Sequence, residues 1–156
     1  MNGEEVLPLP RAAAFAALND VDMLKAAIKG CESLTPIGEN EFEALCSLSM
    51  GPLKASFKGR LHLTDLQPPL SYRIVFEGDG GMTGHARGQA LVRLEEQGEA
   101  ETLLHYEVQA SVGGKIAQIG ARLVDMGARK IAADFFKAFK ARLTGASPIA
   151  PDPPAE

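Results

Sequence analysis

The sequence predicts an α+β protein in which a curved antiparallel sheet wraps around one long C-terminal helix. Within residues 41–112, several stretches alternate apolar and polar side chains, as half-buried strands do. Residues 115–143 have the apolar spacing of a helix and contain no proline. Half-buried strands need a cover on their apolar face, and this helix is the only predicted element long enough to provide it.

The N-terminal part predicts a strand followed by two short helices. Residues 2–7 form the strand candidate. Residues 11–18 are rich in alanine and predict the first helix. Asn19 and Asp20 offer an N-cap for the second helix, predicted over residues 21–29.

The middle of the chain predicts strands at hairpin spacing, which favours antiparallel pairing. Alternating stretches predict strands over residues 41–50, 53–65, 72–76, 85–94 and 104–112, and a short stretch at 31–37 is a further strand candidate. The glycine-rich segment 78–84 lacks the spacing of a phosphate-binding loop and leads into a strand rather than a helix. It therefore predicts a turn or bulge.

One domain is predicted over residues 1–145, because a chain of 156 residues suits a single domain. The C-terminal helix is expected to run unbroken from Lys115 to Leu143, and Gly145 to end it. Residues 146–156 are rich in proline and predict a disordered tail.

Composition excludes several function classes. A net charge of −4 and the absence of tryptophan argue against nucleic acid as a partner. No apolar run approaches the roughly 20 residues of a transmembrane helix, and the acidic N-terminus does not look like a signal peptide. The expected location is therefore cytoplasmic, where Cys31 and Cys46 would be reduced and buried.

The sequence offers weak candidates for catalysis or metal binding. His62, His85 and His105 fall on outward strand positions and do not share a metal-ligand spacing. Asp134 stands four residues after Lys130, which predicts a salt bridge along the helix. Catalytic residues, metal and cofactor are therefore all predicted to be absent.

Small residues on the inward face predict either a cavity or close packing. Gly59, Gly88 and Ala90 lie at inward strand positions, and the helix contributes Gly127. These positions could leave an apolar cavity for a hydrophobic ligand. Alternatively, they let the helix pack nearer the sheet. Strand parity and helix phase place ten residues around the cavity: Leu24, Phe57, Gly59, Phe76, Gly88, Ala90, Tyr106, Ile119, Leu123 and Gly127.

The C-terminal helix is basic although the whole chain is acidic. Its apolar stripe recurs every four residues and therefore drifts around the helix. One interpretation is a basic surface for an anionic membrane or an acidic partner protein, formed by Lys130, Lys137, Lys140 and Arg142. The other is a kinked or curved helix whose aromatic residues pack under the two short helices.

Three stretches carry a resemblance to a known family: GPLKASFKG at 51–59, VGGK at 112–115 and LVDMGARKIAADFF at 123–136. Together they resemble the family of the G subunit of carbon monoxide dehydrogenase, within the START-like (SRPBCC) superfamily. The resemblance implies a helix-grip fold with a hydrophobic cavity. It also implies a non-catalytic accessory protein of a molybdenum hydroxylase such as carbon monoxide dehydrogenase, which assists membrane recruitment or maturation.

The expected partners are molybdenum hydroxylase subunits and a hydrophobic small molecule, either a lipid or a quinone. A quinone is inferred because such an enzyme must pass electrons to a membrane acceptor. Peripheral contact with the inner face of the plasma membrane is expected with these partners. Two alternatives stay open: a cyclase- or aromatase-like enzyme of the same superfamily, and an assembly chaperone without a ligand.

Overall fold

A computed structural model of the protein describes residues 1–28, 30–50 and 53–143. In that part of the chain, seven strands form one antiparallel sheet, two short helices follow the first strand, and a long helix ends the fold. The predicted α+β fold class is therefore confirmed. The tail predicted at residues 146–156 lies outside the described residues.

The strands in chain order are β1 (Asn2–Leu7), β2 (Cys31–Gly38), β3 (Glu41–Met50), β4 (Leu53–Gln67), β5 (Ser71–Asp79), β6 (His85–Gly98) and β7 (Glu101–Gly113). The helices are α1 (Arg11–Leu18), α2 (Val21–Ala27), α3 (Lys115–Gln118) and α4 (Ala121–Leu143). In space the strands follow the order β1-β7-β6-β5-β4-β3-β2. The first strand, β1, therefore lies at one edge of the sheet and pairs with the last strand, β7.

The register of the strands sorts their side chains onto two faces. Phe76, Gly88 and Ala110 are direct partners across β5, β6 and β7, so they share one face. Tyr106 has the same parity as Ala110 in β7, and its ring stacks on Phe136 of α4 with the ring centroids 5.5 Å apart. This face, called the inner face below, is therefore the one that α4 covers.

The C-terminal helix is interrupted, which corrects the expectation of one unbroken helix from Lys115 to Leu143. It divides into α3 and α4 at Ile119 and Gly120. Gly120 has a φ of +100°, which a right-handed helix cannot include and which glycine adopts at low cost. The carbonyl of Gly120 then accepts from the Val124 N–H at 3.1 Å, so the same glycine begins α4.

The hydrophobic core lies at one end of the sheet, between the inner face and the helices α1, α2 and the C-terminal half of α4. Phe139 is 0% exposed, and the ring of Phe15 meets Tyr72 edge to face at 5.5 Å. The buried apolar residues of this cluster are Leu7, Ala14, Phe15, Leu18, Leu24, Ala27, Leu34, Phe42, Ala44, Leu63, Tyr72, Val92, Leu94, Leu104, Phe136 and Phe139. The aromatic residues late in α4 therefore pack in the core together with residues of α1 and α2.

Candidate ligand-binding cleft

The inner face of the sheet is only partly covered. Toward α1 and α2 its side chains are buried, as Tyr72 and Val92 show. In the neighbouring part, Phe76 and Gly88 are half-buried and Ala110 is exposed. Solvent therefore still reaches apolar positions on this part of the inner face, and we call the space between these positions and the first half of α4 the inner cleft.

The first half of α4 forms the other wall of the inner cleft. At about 100° per residue, Ala128 and Ala132 fall on the same side of the helix as the buried Phe136, and both are half-buried. Leu123 falls about 140° from Phe136 and is 38% exposed. The drift of the apolar stripe therefore carries Leu123 toward solvent and leaves small alanines over the cleft.

The predicted ligand residues fall into three groups by burial. Leu24 is buried in the core, and Leu123 is exposed. The other eight are half-buried: Phe57, Gly59, Phe76, Gly88, Ala90, Tyr106, Ile119 and Gly127. Ala110 was not among the ten predicted residues, although it has the same strand parity as Tyr106 and therefore lies on the same face. Because Ala110 is exposed, it is the clearest candidate for the floor of the inner cleft. The prediction omitted Ala110 because exposure cannot be seen in an alternating pattern.

Gly88 serves the pairing of two strands rather than leaving free space. A Cβ atom at this position would collide with the carbonyl oxygen of Gln109 and would lie 2.7 Å from the Cα of Ala110. Both atoms belong to the backbone of β7 and cannot move aside cheaply. At Gly88, close backbone approach therefore accounts for the small residue.

Tyr106 occupies one side of the inner cleft and is held in place from two directions. Its ring stacks on Phe136 with an interplanar angle of 27°. Its other neighbour is Gly3 of β1, where any Cβ atom would collide with the tyrosine ring. Burial raises the pKa of Tyr106, and the nearby Glu5 carboxylate raises it further, while the Arg129 guanidinium acts in the opposite direction. The hydroxyl therefore stays protonated and can donate a hydrogen bond.

Charged side chains accompany Tyr106 at this side. Lys140 donates to Glu5 at 2.6 Å and so ties α4 to the edge strand β1. Arg129 donates to Asp125 at 2.8 Å, one turn earlier in α4. The inner cleft thus combines an apolar floor with a polar margin, an arrangement suited to an amphiphilic molecule.

Phe57 lies at the opposite limit of the floor, near the turn between β5 and β6. A Cβ atom on Gly80 would lie 2.7 Å from the Phe57 ring, so the ring covers this turn closely. The turn carries Met82, which is 85% exposed.

Two wide surface grooves lie on the outer face of the sheet, which the sequence did not predict. The larger, of about 630 Å³, is bordered by polar side chains such as Arg60, Glu77 and Arg87. Four inner-face residues also border it, and because neighbouring strand residues point to opposite faces, we expect them to contribute backbone to its floor: Leu61, Phe76, Gly88 and Ala110. The second, of about 360 Å³, includes His105. Their exposed, charged borders fit an apolar ligand less well than the inner cleft does.

The four basic residues predicted for a membrane or partner surface differ in their surroundings. Lys130 pairs with Asp134 at 3.0 Å, as the spacing predicted, and Lys140 pairs with Glu5. Lys137 and Arg142 are exposed and form no ion pair within the described part of the chain. Lys130 and Lys137 are seven residues apart and therefore share one face of α4.

The described residues form neither a metal-binding cluster nor a membrane-spanning helix. Among them, no group of three or more histidine, cysteine, aspartate or glutamate side chains could hold a metal ion. None of their helices has both the length and the apolar character needed to cross a bilayer.

Sequence comparison assigns the family. The family model of CoxG, the G subunit of carbon monoxide dehydrogenase, matches residues 3–144, which is most of the chain. The chain belongs to the CoxG family. A comparison with curated proteins gives no match.

Several solved structures share the fold of this CoxG family member. A conserved protein from Geobacillus kaustophilus is 30% identical with a TM-score of 0.88, over 93% of this chain and 95% of that one. A START superfamily protein from Mycobacterium smegmatis has a TM-score of 0.72 at 9% identity, over 94% and 98% of the two chains. The Zhui aromatase/cyclase from Streptomyces sp. R1128 has a TM-score of 0.63 at 10% identity, over 92% of both chains. The last two show the fold alone.

Leucine substitutions at Gly88 and Ala110 should show which of the two positions is closed by the neighbouring strand and which has room for a larger side chain. We expect Gly88→Leu to destabilise the protein by about 1–3 kcal/mol or more, because its side chain meets backbone atoms of β7. Ala110→Leu should be near neutral, because Ala110 is exposed on the cleft floor. Urea unfolding of both variants measures the difference. Equal destabilisation would mean that the floor at Ala110 is packed rather than open.

Proposed function

We propose that this CoxG family member is a non-catalytic accessory protein that holds an apolar ligand in the inner cleft and serves a molybdenum hydroxylase such as carbon monoxide dehydrogenase. The observation that carries the proposal is the uncovered apolar floor at Phe76, Gly88 and Ala110. The protein would assist membrane recruitment or maturation of the enzyme, a role that the family name and the START-like fold support.

The ligand that suits the inner cleft is an amphiphile, either a lipid or a quinone. Its apolar part would lie against Phe76, Ala90 and Ala110, where each Å² of buried apolar area contributes about 25 cal/mol. Its polar group would face Tyr106 and Arg129, which offer a hydroxyl donor and a guanidinium. A quinone also suits the expected partner, because a dehydrogenase must pass its electrons to an acceptor.

Ligand uptake should depend on the floor of the inner cleft. We expect the full-length protein to take up a respiratory quinone from detergent solution, detected by native mass spectrometry. Ala110→Leu should weaken uptake about tenfold or more, because the larger side chain would occupy space that the ligand needs, and about 1.4 kcal/mol of lost binding free energy is a tenfold change in affinity. Val75→Leu is the matched control, since Val75 is 42% exposed on the outer face and should leave uptake unchanged.

Two results would argue against this assignment. If neither the wild type nor the control takes up quinone or co-purifies with lipid, the ligand-free chaperone becomes the better account. If Val75→Leu weakens uptake and Ala110→Leu does not, the ligand binds at the outer groove.

The exposed face of α4 is the proposed contact with an anionic membrane or an acidic partner. Leu123, Met126, Lys130 and Lys137 fall within one arc of the helix, and Met126 is 57% exposed. Apolar and basic residues on one helix face are typical of reversible membrane binding. Each basic charge near an anionic surface contributes about 1 kcal/mol, so the contact would be weak and reversible.

Charge reversal should test this contact on vesicles of phosphatidylglycerol and phosphatidylcholine. We expect Lys130→Glu combined with Lys137→Glu, which reverses both lysines of this helix face, to weaken co-sedimentation about tenfold or more, since about 1 kcal/mol of attraction is lost for each charge. Lys140 is left intact because it pairs with Glu5.

The control reverses two other exposed lysines, Lys25→Glu with Lys54→Glu, which gives the same net charge. Wild-type binding should also disappear at high salt, because exposed charges are screened. Binding that survives both high salt and charge reversal would place the contact elsewhere, for example at Met82.

An enzyme related to the cyclases is the second candidate. Proton transfer in the cleft would need positioned titratable groups. Tyr72 is enclosed in the core, and burial raises its pKa far above the usual range, so Tyr106 is the tyrosine available to a ligand. Turnover of an aromatic polyketide by the wild type, lost in Tyr106→Phe while ligand uptake persists, would favour the enzyme over the accessory protein.

A further inference from the structure

Cys31 and Cys46 are direct partners across the pair of strands β2 and β3. The Ser47 N–H donates to the Gly30 carbonyl at 2.9 Å, so the neighbouring positions 30 and 47 carry the hydrogen bond of the ladder. The Cys31 N–H donates to Ile28 instead, at 3.2 Å. The two cysteines therefore form the non-hydrogen-bonded type of pair, in which the Cα atoms are closest, at about 4.5 Å.

Both thiols are on the inner face. Cys46 is the direct partner of Phe57 in β4, and both cysteines are half-buried against the hydrophobic core. Glu32, which follows Cys31 in β2, points to the other face, where its carboxylate accepts a hydrogen bond from the Ser47 hydroxyl at 2.7 Å. The strands thus present the two sulfur atoms to each other, and both thiols are free.

We propose that Cys31 and Cys46 are an oxidant-sensitive dithiol that closes to a cross-strand disulfide when a hydroperoxide reaches it. A disulfide needs Cα atoms between about 4.4 and 6.8 Å apart, which a pair of this type satisfies without moving the backbone far. This inference rests on the strand register and does not depend on the proposed ligand.

The reaction balances with one hydroperoxide molecule. The Cys31 sulfur attacks the peroxide oxygen, the O–O bond breaks, and a sulfenic acid and water form when hydrogen peroxide is the oxidant. The Cys46 sulfur then displaces the hydroxyl group, which leaves as a second water with the Cys46 proton. Two thiols are oxidised, one peroxide is reduced, and one S–S bond results.

The surroundings assign different roles to the two sulfurs. Burial, followed by the adjacent Cys31, raises the pKa of Cys46 to about 12. A thiol that keeps its proton is a poor nucleophile, so peroxide should oxidise Cys31 first, and the attack by Cys46 that completes the bond should become faster as the pH rises.

The bond would close a loop from residue 31 to residue 46 and join the edge strand β2 covalently to β3. A cross-link of this length restricts the unfolded chain, so oxidation should raise the midpoint of thermal unfolding by about 5–10 °C. Cys31 follows α2 closely, so the same bond would also fix the end of the helix that packs on α4.

The test uses the full-length protein, reduced and then treated with hydrogen peroxide. After denaturation, iodoacetamide should modify both cysteines of the untreated protein and neither of the treated protein, which should be a single monomeric species whose peptide map links Cys31 to Cys46. Dithiothreitol should restore both thiols and reverse the rise in the unfolding midpoint.

Cys31→Ser and Cys46→Ser are the matched controls. Neither variant should show the peroxide-induced rise in the unfolding midpoint, and Cys46→Ser should accumulate sulfenic acid at Cys31, which dimedone detects. The proposal is overturned if both wild-type thiols stay open to alkylation, or if peroxide yields only sulfinic acid or links between chains. Should a serine variant fold poorly, the comparison of reduced with oxidised wild type still decides.

Discussion

The anchoring of α4 at one end is the constraint on which the rest of the structure depends. Phe136 and Phe139 hold the C-terminal half of the helix in the core, and Tyr106 stacks on Phe136 from the sheet. Gly120 breaks the helix from α3, so nothing requires its first half to press on the strands. One end of the sheet therefore becomes a packed core, and the other keeps an open apolar floor. The packed core and the open floor therefore involve different halves of the same helix.

Charge placement follows the same division. Lys140 is held by Glu5 of the edge strand, and Lys130 and Arg129 pair with aspartates of α4 itself. Exposed pairs of this kind contribute little to stability, but they reduce the charge available to a partner. Lys137 and Arg142 keep their charge exposed at the C-terminal end of α4. A partner that approached this end would meet the basic residues while the inner cleft stayed accessible from the other end.

Strand faces could be predicted from the sequence, whereas exposure and long-range pairing could not. Alternation is a local property, so it assigned Phe57, Phe76 and Tyr106 to one face, and the register agrees. Gly120 was overlooked because apolar spacing continues on both sides of it, and only its positive φ reveals the break. The pairing of Lys140 with Glu5 joins residues far apart in the chain, and no local pattern reports it. Phe136 is buried and Leu123 is exposed because only the C-terminal half of α4 packs in the core. The apolar periodicity of the helix does not show which half packs there.

The most direct measurement of the central claim uses the absence of tryptophan from the chain. Phe76→Trp would place the single tryptophan of the chain on the inner face, and Val75→Trp would place it on the outer face, one residue away in the same strand. If the ligand occupies the inner cleft, titration with a quinone will quench the tryptophan fluorescence of the Phe76→Trp variant saturably. The fluorescence of the Val75→Trp variant will be quenched no more than that of free indole. Saturable quenching of the Val75→Trp variant, with none for Phe76→Trp, would contradict the account.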